Sequence, residues 1–330
     1  MTKLTIAIPN YNGGKNLKRA IESCKKIQIP LEDYEILIVD NCSTDNSIDL
    51  INELNNEFSN LVLIENKENV GRIQNWNVCL ENANGEFLIF LFSNDIINDQ
   101  NNIHKILDIL HKNDKISIGF SSLLKKEIDN SYIKKLFANE IIECSSKLFA
   151  QKCINRGLLP FGPIQSIIYR MDDIRKDKNN FLTSMPINAD EIFTFKESCK
   201  REKILFNPNP QITWDLTQGR FHGQMKIEDE FKEHSETMKI ITNDIGFEIN
   251  YGLVSTYRAI NLLKVATGNL RHNGKKNAIS HLLSKMKENK SFFNTDKILF
   301  KTFIDKLKNS ERDADDILYR LIILECLKQN

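Results

Sequence analysis

The stretch Asn69–Asp95, NVGRIQNWNVCLENANGEFLIFLFSND, decides the fold class of this 330-residue chain. It opens on a glycine turn, continues as an amphipathic helix, turns again at Gly85 and enters an apolar run, Phe87 to Phe92. Spanning a bilayer takes about 20 apolar residues, so this run suits a buried strand instead. Asp95 stands just past it. In open α/β sheets ligands sit beyond the carboxyl ends of the strands. A carboxylate delivered there can hold a divalent metal against a phosphate, so the unit points to a nucleotide-diphosphate site.

The residues before it repeat the pattern. Leu4 to Ile8 reads as a strand ending in the turn Pro9-Asn10-Tyr11-Asn12-Gly13-Gly14. Leu17, Ala20, Ile21, Cys24 and Ile27 then recur at helical spacing. Tyr34 to Val39 gives a second strand, closing on Asp40-Asn41-Cys42-Ser43-Thr44-Asp45. Ser43 or Thr44 is placed to cap the helix carrying Ile48, Ile51, Leu54 and Phe58. Leu61 to Ile64 is a third strand, leading to Asn69-Val70-Gly71. Alternating strands and helices predict an α/β fold with a largely parallel, right-handed sheet.

In order along the chain, these segments resemble the motifs of family 2 glycosyltransferases of the GT-A fold, inverting enzymes that use nucleotide-sugar donors. Pro9-Asn10-Tyr11-Asn12 resembles the first donor loop and Val39 to Asp45 the second. Asn69-Val70-Gly71-Arg72, Asn75-Trp76-Asn77 and Ala83-Asn84-Gly85-Glu86 resemble the third. Ser93-Asn94-Asp95 lies where the family carries its metal-binding acidic element. Gly162-Pro163 with Tyr169-Arg170 is similar to the segment before the acceptor site, Ala189 to Phe193 to the element with the catalytic base, and Arg220 to Gly223 to a later basic loop. The resemblance covers roughly residues 2 to 225.

It implies a Rossmann-like GT-A domain and a one-step displacement without a protein nucleophile. Asp190 would be the general base. Pro9, Tyr11, Asn12, Asp40, Asn69, Gly71, Arg72, Asn75, Ser93 and Asn94 would bind the donor, with Asp40 accepting from the N–H of a uracil ring. Asp95, with Asn94 as a candidate helper, would hold Mn²⁺ or Mg²⁺, and Arg72 and His222 are candidates for contacts to phosphate or metal. Gly162, Pro163 and Glu191 would meet the acceptor, a glycan or lipid-linked hydroxyl in bacterial surface-polymer synthesis. Two positions depart from the family. Phe92 or Asn94 stands where the metal element usually opens with Asp, and Ala189 where a Glu often precedes the base.

Each residue also has a plainer reading. Asp40 before Ser43-Thr44 is ordinary turn chemistry. Asp95 can cap the helix carrying Ile103, Ile106, Leu107 and Leu110, and Asp190-Glu191 can be a solvated helix face. Gly162-Pro163 is a turn in any case, His222 a surface histidine, and Trp76 a core residue. At the level of the whole chain the alternative is an inactive GT-A domain that binds nucleotide or sugar as a partner in a complex. A nucleotidyltransferase would need a basic, Gly-rich phosphate loop, which Asn10 to Lys15 does not provide.

Composition is that of a globular protein, 41% hydrophobic and 27% charged. Seven scattered cysteines without a Cys-x-x-Cys read as free thiols in a reducing compartment. With neither a signal peptide nor a membrane-length apolar run in the sequence, a cytoplasmic protein is expected. Residues 1–225 are assigned to the glycosyltransferase domain, 1–95 for donor and 96–225 for acceptor, and 226–330 to a helical C-terminal region. Gly219 to Lys226 is a candidate mobile loop.

That C-terminal region is basic. From Tyr251 to Ser310 twelve Lys or Arg face three acids, although the whole chain carries only +1. Apolar residues recur at helical spacing through it, and Ala314 to Leu327 reads as a further amphipathic helix. Two readings stand: a helical subdomain with a solvated basic face, or a peripheral dock on anionic lipid at the inner face of the plasma membrane. No nucleic-acid motif is present.

Overall fold

A computed structural model of the chain describes residues 2–98, 100–126, 131–134, 140–154, 163–215, 233 and 236–243. The chain divides into two compact units, Met1–Ser146 with Phe161–Gly219, and Lys147–Pro160 with Arg220–Asn330. Gly162, the 220–223 loop with His222, the basic segment 251–310 and the helix expected at 314–327 lie outside the described residues.

The elements run β1 (Leu4–Asn10), α1 (Gly14–Ser23), β2 (Tyr34–Asp40), α2 (Ser47–Asn55), β3 (Leu61–Glu65), α3 (Arg72–Asn82) and β4 (Phe87–Phe90). There follow β5 (Ile96–Ile97), α4 (Gln100–Lys112), β6 (Ile116–Ser121), β7 (Leu123–Lys126), β8 (Ser131–Lys134), β9 (Ile142–Ser145) and α5 (Ser146–Ile154). The last are β10 (Ile167–Arg170), α6 (Met171–Asp177), α7 (Ala189–Ser198), β11 (Lys203–Asn207) and β12 (Ile212–Asp215). Eight strands form the main sheet in the order β3-β2-β1-β4-β10-β6-β11-β9. β1 to β4 are mutually parallel, as expected from their alternation with helices. β10 is inserted antiparallel between β4 and β6, and β9 closes the far edge antiparallel to β11. A small second sheet, β5-β12-β7-β8, has no counterpart in the sequence reading because its strands are only two to four residues long.

Strand parity divides the sheet's two faces. Leu4, Ile6 and Ile8 of β1, Ile36 and Ile38 of β2, and Phe87 and Ile89 of β4 share one apolar cluster with Leu17 and Ile21 of α1, Ile51 and Leu54 of α2, and Ile103, Ile106 and Leu110 of α4. On the other face α3 packs against β1 and β2, and its Trp76 lies 6.4 Å from Phe90 of β4. Trp76 is 3% exposed and therefore belongs to the core.

The strand order puts neighbours β2 and β4 on opposite sides of β1, which creates a topological switch at the carboxyl ends of β1 and β4. The amino ends are braced separately. Buried Glu35 accepts from Thr5 Oγ1 at 2.5 Å and from Asn84 N at 2.6 Å, while Thr5 Oγ1 accepts from Gly85 N at 2.9 Å. The Ala83 to Glu86 turn therefore lies a full seven-residue strand away from Asn10, at the wrong end of the sheet for a donor loop. It borders an open depression of about 460 Å³.

Helix α7 carries a second buried carboxyl. Glu197 is 3% exposed and accepts from Asn179 Nδ2 at 2.7 Å. Burial pushes its pKa from 4.5 up to about 7, against the Asn179 hydrogen bond and Lys200. The folded chain thus holds this proton more tightly than the unfolded one. Its stability contribution is complete below about pH 4.5 and is lost as pH rises to about 7. Glu197→Gln keeps the acceptor oxygen and removes the charge. Chemical denaturation should show a gain of about 2–3 kcal/mol at pH 8 that vanishes near pH 4.5. An equal gain at both pH values would contradict the burial account.

Candidate active site

Three adjacent parallel strands are each completed or followed directly by asparagine: Asn10 ends β1, Asn41 follows β2 and Asn66 follows β3. These amides sew the loops together. Asn10 Nδ2 donates to Asp40 Oδ1 at 2.7 Å, and the backbone N–H of Asn12 donates to Ser43 Oγ at 2.9 Å. Asn12, at φ +54°, turns its Oδ1 to accept from Thr44 N at 2.8 Å. Asn41 Oδ1 accepts from Val70 N at 2.9 Å and Asn66 Nδ2 at 3.1 Å, while its Nδ2 donates to Asn69 Oδ1 at 2.8 Å. Asn75 donates to Val39 O at 3.0 Å and accepts from Asn66 at 2.8 Å. The fourth loop joins at the switch point, where a Cβ on Gly13 would fall 3.1 Å from Ser93 Cβ. The result is one polar wall on four strand ends, with Tyr11 51% exposed and Val70 37% exposed at its rim.

Within the wall, Asp40 differs from the expectation of an acceptor open to a base. It is 1% exposed, and its oxygens take Asn10 Nδ2, Ser43 Oγ at 2.6 Å and Ser43 N at 2.8 Å. This carboxylate ties the first two loops together. Ser43 is thereby used up; the N-cap of α2 is Asn46, which makes no side-chain capping bond, and Asp45 Oδ1 accepts from Ser47 N at 3.0 Å, contrary to the capping expected of Ser43 or Thr44. Asn75, expected on the donor, is 3% exposed and bonded within the wall. Pro9 is half-buried in β1 opposite Val39. Asn69 and Gly71 stay open, Gly71 at φ +85° with nothing within 4 Å of a Cβ placed on it.

Asp95 is 0% exposed. Gln165 Nε2 donates to its Oδ2 at 3.1 Å, and the backbone N–H of Asp215 donates to its Oδ1 at 3.2 Å. Burial pushes its pKa up to about 8, opposed by the Asp215 N–H and reinforced by the charge of Asp215. Asn94 is turned the same way, donating from Nδ2 to Asp215 O at 3.0 Å, while Arg19 bridges Asn94 O at 2.8 Å and Asp215 Oδ2 at 3.0 Å. Asp190 and Glu191 are half-buried in the first turn of α7. Pro163 opens a 3₁₀ turn at Ile164–Ser166, its carbonyl accepting from Ser166 Oγ at 2.7 Å.

Residues 5–176, more than half of the chain, match the family model described as glycosyl transferase family 2. The chain belongs to that family. A poly(ribitol-phosphate) beta-glucosyltransferase of Bacillus spizizenii is 26% identical over 204 residues, 61% of this chain and 30% of that protein. The chain thus spans about a third of the length of the curated relatives it matches first. Staphylococcus aureus TarS residues 1–349, in complex with UDP-GlcNAc, superposes with a TM-score of 0.63 over 99% of this chain and 92% of that one, at 20% identity. A mannosyltransferase from Pyrobaculum calidifontis, in complex with GDP-Man and Mn²⁺, gives 0.53 over 99% and 88%, at 12% identity. At such identities the two structures establish a shared GT-A architecture.

Membership in family 2 makes a divalent metal an expectation, and the donor set tests it. Among the described residues no group of three or more His, Cys, Asp or Glu could hold a metal ion. Asp95, assigned to the metal by resemblance, has both oxygens engaged by protein donors and lies inside the fold, while Asn94 spends its amide on Asp215 and Phe92 offers no oxygen. The described residues do not fit a metal site. In this structure Asp95 joins the fourth loop to β12 through the backbone N–H of Asp215. Asp95→Asn should therefore leave UDP affinity within about twofold, with or without Mn²⁺, by calorimetric titration. The new amide can donate to Gln165 Oε1, which has no partner. A Mn²⁺-dependent loss of more than about tenfold would return Asp95 to the metal.

Sequence reasoning missed Gln165, Asp215, Arg19 and the amide wall. The first three come from distant stretches of chain and carry no local signal. The wall had one: asparagine at three successive strand ends.

Proposed function

We propose that the chain is an inverting glycosyltransferase that moves a sugar from a UDP-sugar to a hydroxyl of a glycan or lipid-linked acceptor in bacterial surface-polymer synthesis. The observation that carries this reading is the polar wall at the β1/β4 switch point, built from the loops that hold the family's donor motifs. Gly71, the N-cap of α3, provides no side-chain cap, so the first-turn N–H groups favour a diphosphate beside Asn69 and Gly71. Residues 1–95 hold the donor in this reading, and 96–225 bring the base and the acceptor. Asp190 takes the proton of the attacking hydroxyl as the bond from the anomeric carbon to the diphosphate oxygen breaks. No protein nucleophile is required. The "beta" in the Bacillus relative's name is the configuration that inversion of an α-linked nucleotide sugar gives. The TarS complex with UDP-GlcNAc supports UDP as the nucleotide.

The Mn²⁺ of the mannosyltransferase complex supports a divalent metal in related folds. No helix among the described residues is long and apolar enough to cross a membrane. A cytoplasmic place is proposed, with the basic segment 251–310 contacting anionic lipid near the acceptor.

Calorimetric titration with UDP, GDP, CDP and their sugars, with and without Mn²⁺, tests the donor site, and UDP release from UDP-GlcNAc with poly(ribitol phosphate) tests transfer. Selective binding of UDP and acceptor-dependent release are expected. Failure of every nucleotide to bind would refute the reading. The burial of Asp95 favours one rival, a GT-A domain that binds nucleotide without turnover. Binding of UDP without release for any donor–acceptor pair would establish it.

A further inference from the structure

Arg72 was expected on the donor phosphates, and the structure turns it elsewhere. It is the first residue of α3, directly after the donor-loop residue Gly71. Its guanidinium carbon lies 4.7 Å from the centroid of the Trp76 ring, one turn along the helix, and its NH2 donates to the carbonyl of Pro186. Pro186 lies four residues before Asp190. The next turn of α3 holds the other end of the same segment: Asn77 accepts from Phe181 N at 2.8 Å and donates to Phe181 O at 3.0 Å. Trp76 also packs on the Phe181 ring at 5.3 Å, and Phe181 stacks on Phe193 of α7 at 4.1 Å. One helix that begins at the donor loop thus holds both ends of the segment 181–186 leading into α7.

We propose that Arg72 is a positioning residue, which sets the helix carrying Asp190 against the donor loop, and not a ligand of the donor phosphates. The inference rests on Asp190 being the base. A base must come within about 2.6–3.2 Å of the proton it removes, and a 1 Å misplacement can cost about 100-fold. An arginine suits the task because its flat fork stacks on an indole while donating to a carbonyl. Lysine keeps the charge and a donor but lacks the plane, and methionine keeps only the apolar stem.

The test compares Arg72→Lys and Arg72→Met with the unaltered full chain in three readouts. UDP affinity by calorimetry should stay within about twofold, because the phosphates do not depend on Arg72. Turnover of saturating UDP-GlcNAc should fall about tenfold or more in Arg72→Met and be partly recovered in Arg72→Lys. Backbone amides of 182–190 should exchange hydrogen faster, while those of β1 and β2 are unchanged. A tenfold weaker Kd for UDP with unchanged turnover at saturation would overturn the proposal and make Arg72 a phosphate ligand. Unchanged exchange over 182–190 would overturn it as well. Should Arg72→Met fail to fold, Arg72→Lys carries both readouts. Asp190→Asn is assayed beside them: a wild-type rate there removes the base reading, while exchange over 182–190 still reports whether Arg72 holds the segment.

Discussion

Asp190→Asn is expected to lower turnover about 10²–10⁴-fold while leaving UDP affinity within about twofold. The first figure is the usual contribution of a positioned general base, about 3–5 kcal/mol of barrier. The second follows from the division of labour in the site. In the proposed reading the base meets the acceptor hydroxyl, whereas the diphosphate meets the loops after β1 to β4. Asparagine is close to isosteric and sits in the first turn of α7, where losing an acidic partner of the helix dipole costs about 0.3–1 kcal/mol. The variant should therefore fold. Glu191→Gln is the matched control, since Glu191 is the neighbouring acid where position 189 has only alanine. Because Glu191 is expected to meet the acceptor, its change should weaken acceptor use by raising KM, and turnover at saturating acceptor should fall far less than in Asp190→Asn. Steady-state kinetics at saturating donor, with calorimetry on the same samples, decide the matter. Wild-type turnover in Asp190→Asn would mean that another group takes the proton, and a parallel loss of UDP binding would mean that Asp190 touches the donor.

The parallel half of the fold is legible because β1, β2 and β3 pair only among themselves and with β4. Hydrophobic runs at Leu4, Tyr34, Leu61 and Phe87, separated by helical patterns, specify β1 to β4 within one or two residues. Beyond Asp95 the periodic signal fails for a physical reason. β10 is a four-residue strand from far along the chain, inserted antiparallel between β4 and β6, and its place is set by packing on both neighbours. Arg170 shows the same limit. Its motif suggested a role near the acceptor, yet the side chain is 6% exposed, donating to Ile116 O at 2.7 Å and Asn113 O at 2.8 Å to hold the turn after α4.

The site divides along a similar line. Motifs located the loops, but not which atoms within them remain open. A carboxylate beside Ser43 reads as a ligand group or as a turn residue, and only tertiary placement shows Asp40 and Asp95 satisfied by protein donors. Buried carboxylates need such partners. Of the residues assigned to the donor by motif, Tyr11, Asn12, Asn69 and Gly71 remain exposed at the rim.

Gly85→Ala is expected to destabilise the fold by about 4 kcal/mol, a large share of the roughly 5–15 kcal/mol that holds a typical domain together. A Cβ at this position would lie 2.5 Å from Thr5 N, 2.7 Å from Leu4 C and 2.7 Å from Phe87 O. All three are backbone atoms of β1 or β4, so no side chain can rotate out of the way. The turn must retreat. Retreat stretches Gly85 N to Thr5 Oγ1 and Asn84 N to Glu35 Oε1, and it pulls on the Arg175 NH2 bonds to Ala83 O and Gly85 O. Overpacking alone costs about 1–3 kcal/mol, and weakening a bond to the buried Glu35 carboxylate adds about 1.5–3. Gly71→Ala separates this close approach from backbone conformation. Gly71 has φ +85° but nothing within 4 Å of its Cβ position, so that change should cost only the strain of about 1–3 kcal/mol and disturb the donor loop locally. Urea denaturation of both variants makes the comparison. A Gly85→Ala protein within about 1 kcal/mol of wild type would show that the brace of Thr5, Glu35 and Asn84 yields easily, and the rigid amino end assigned to β1 and β4 would have to be abandoned.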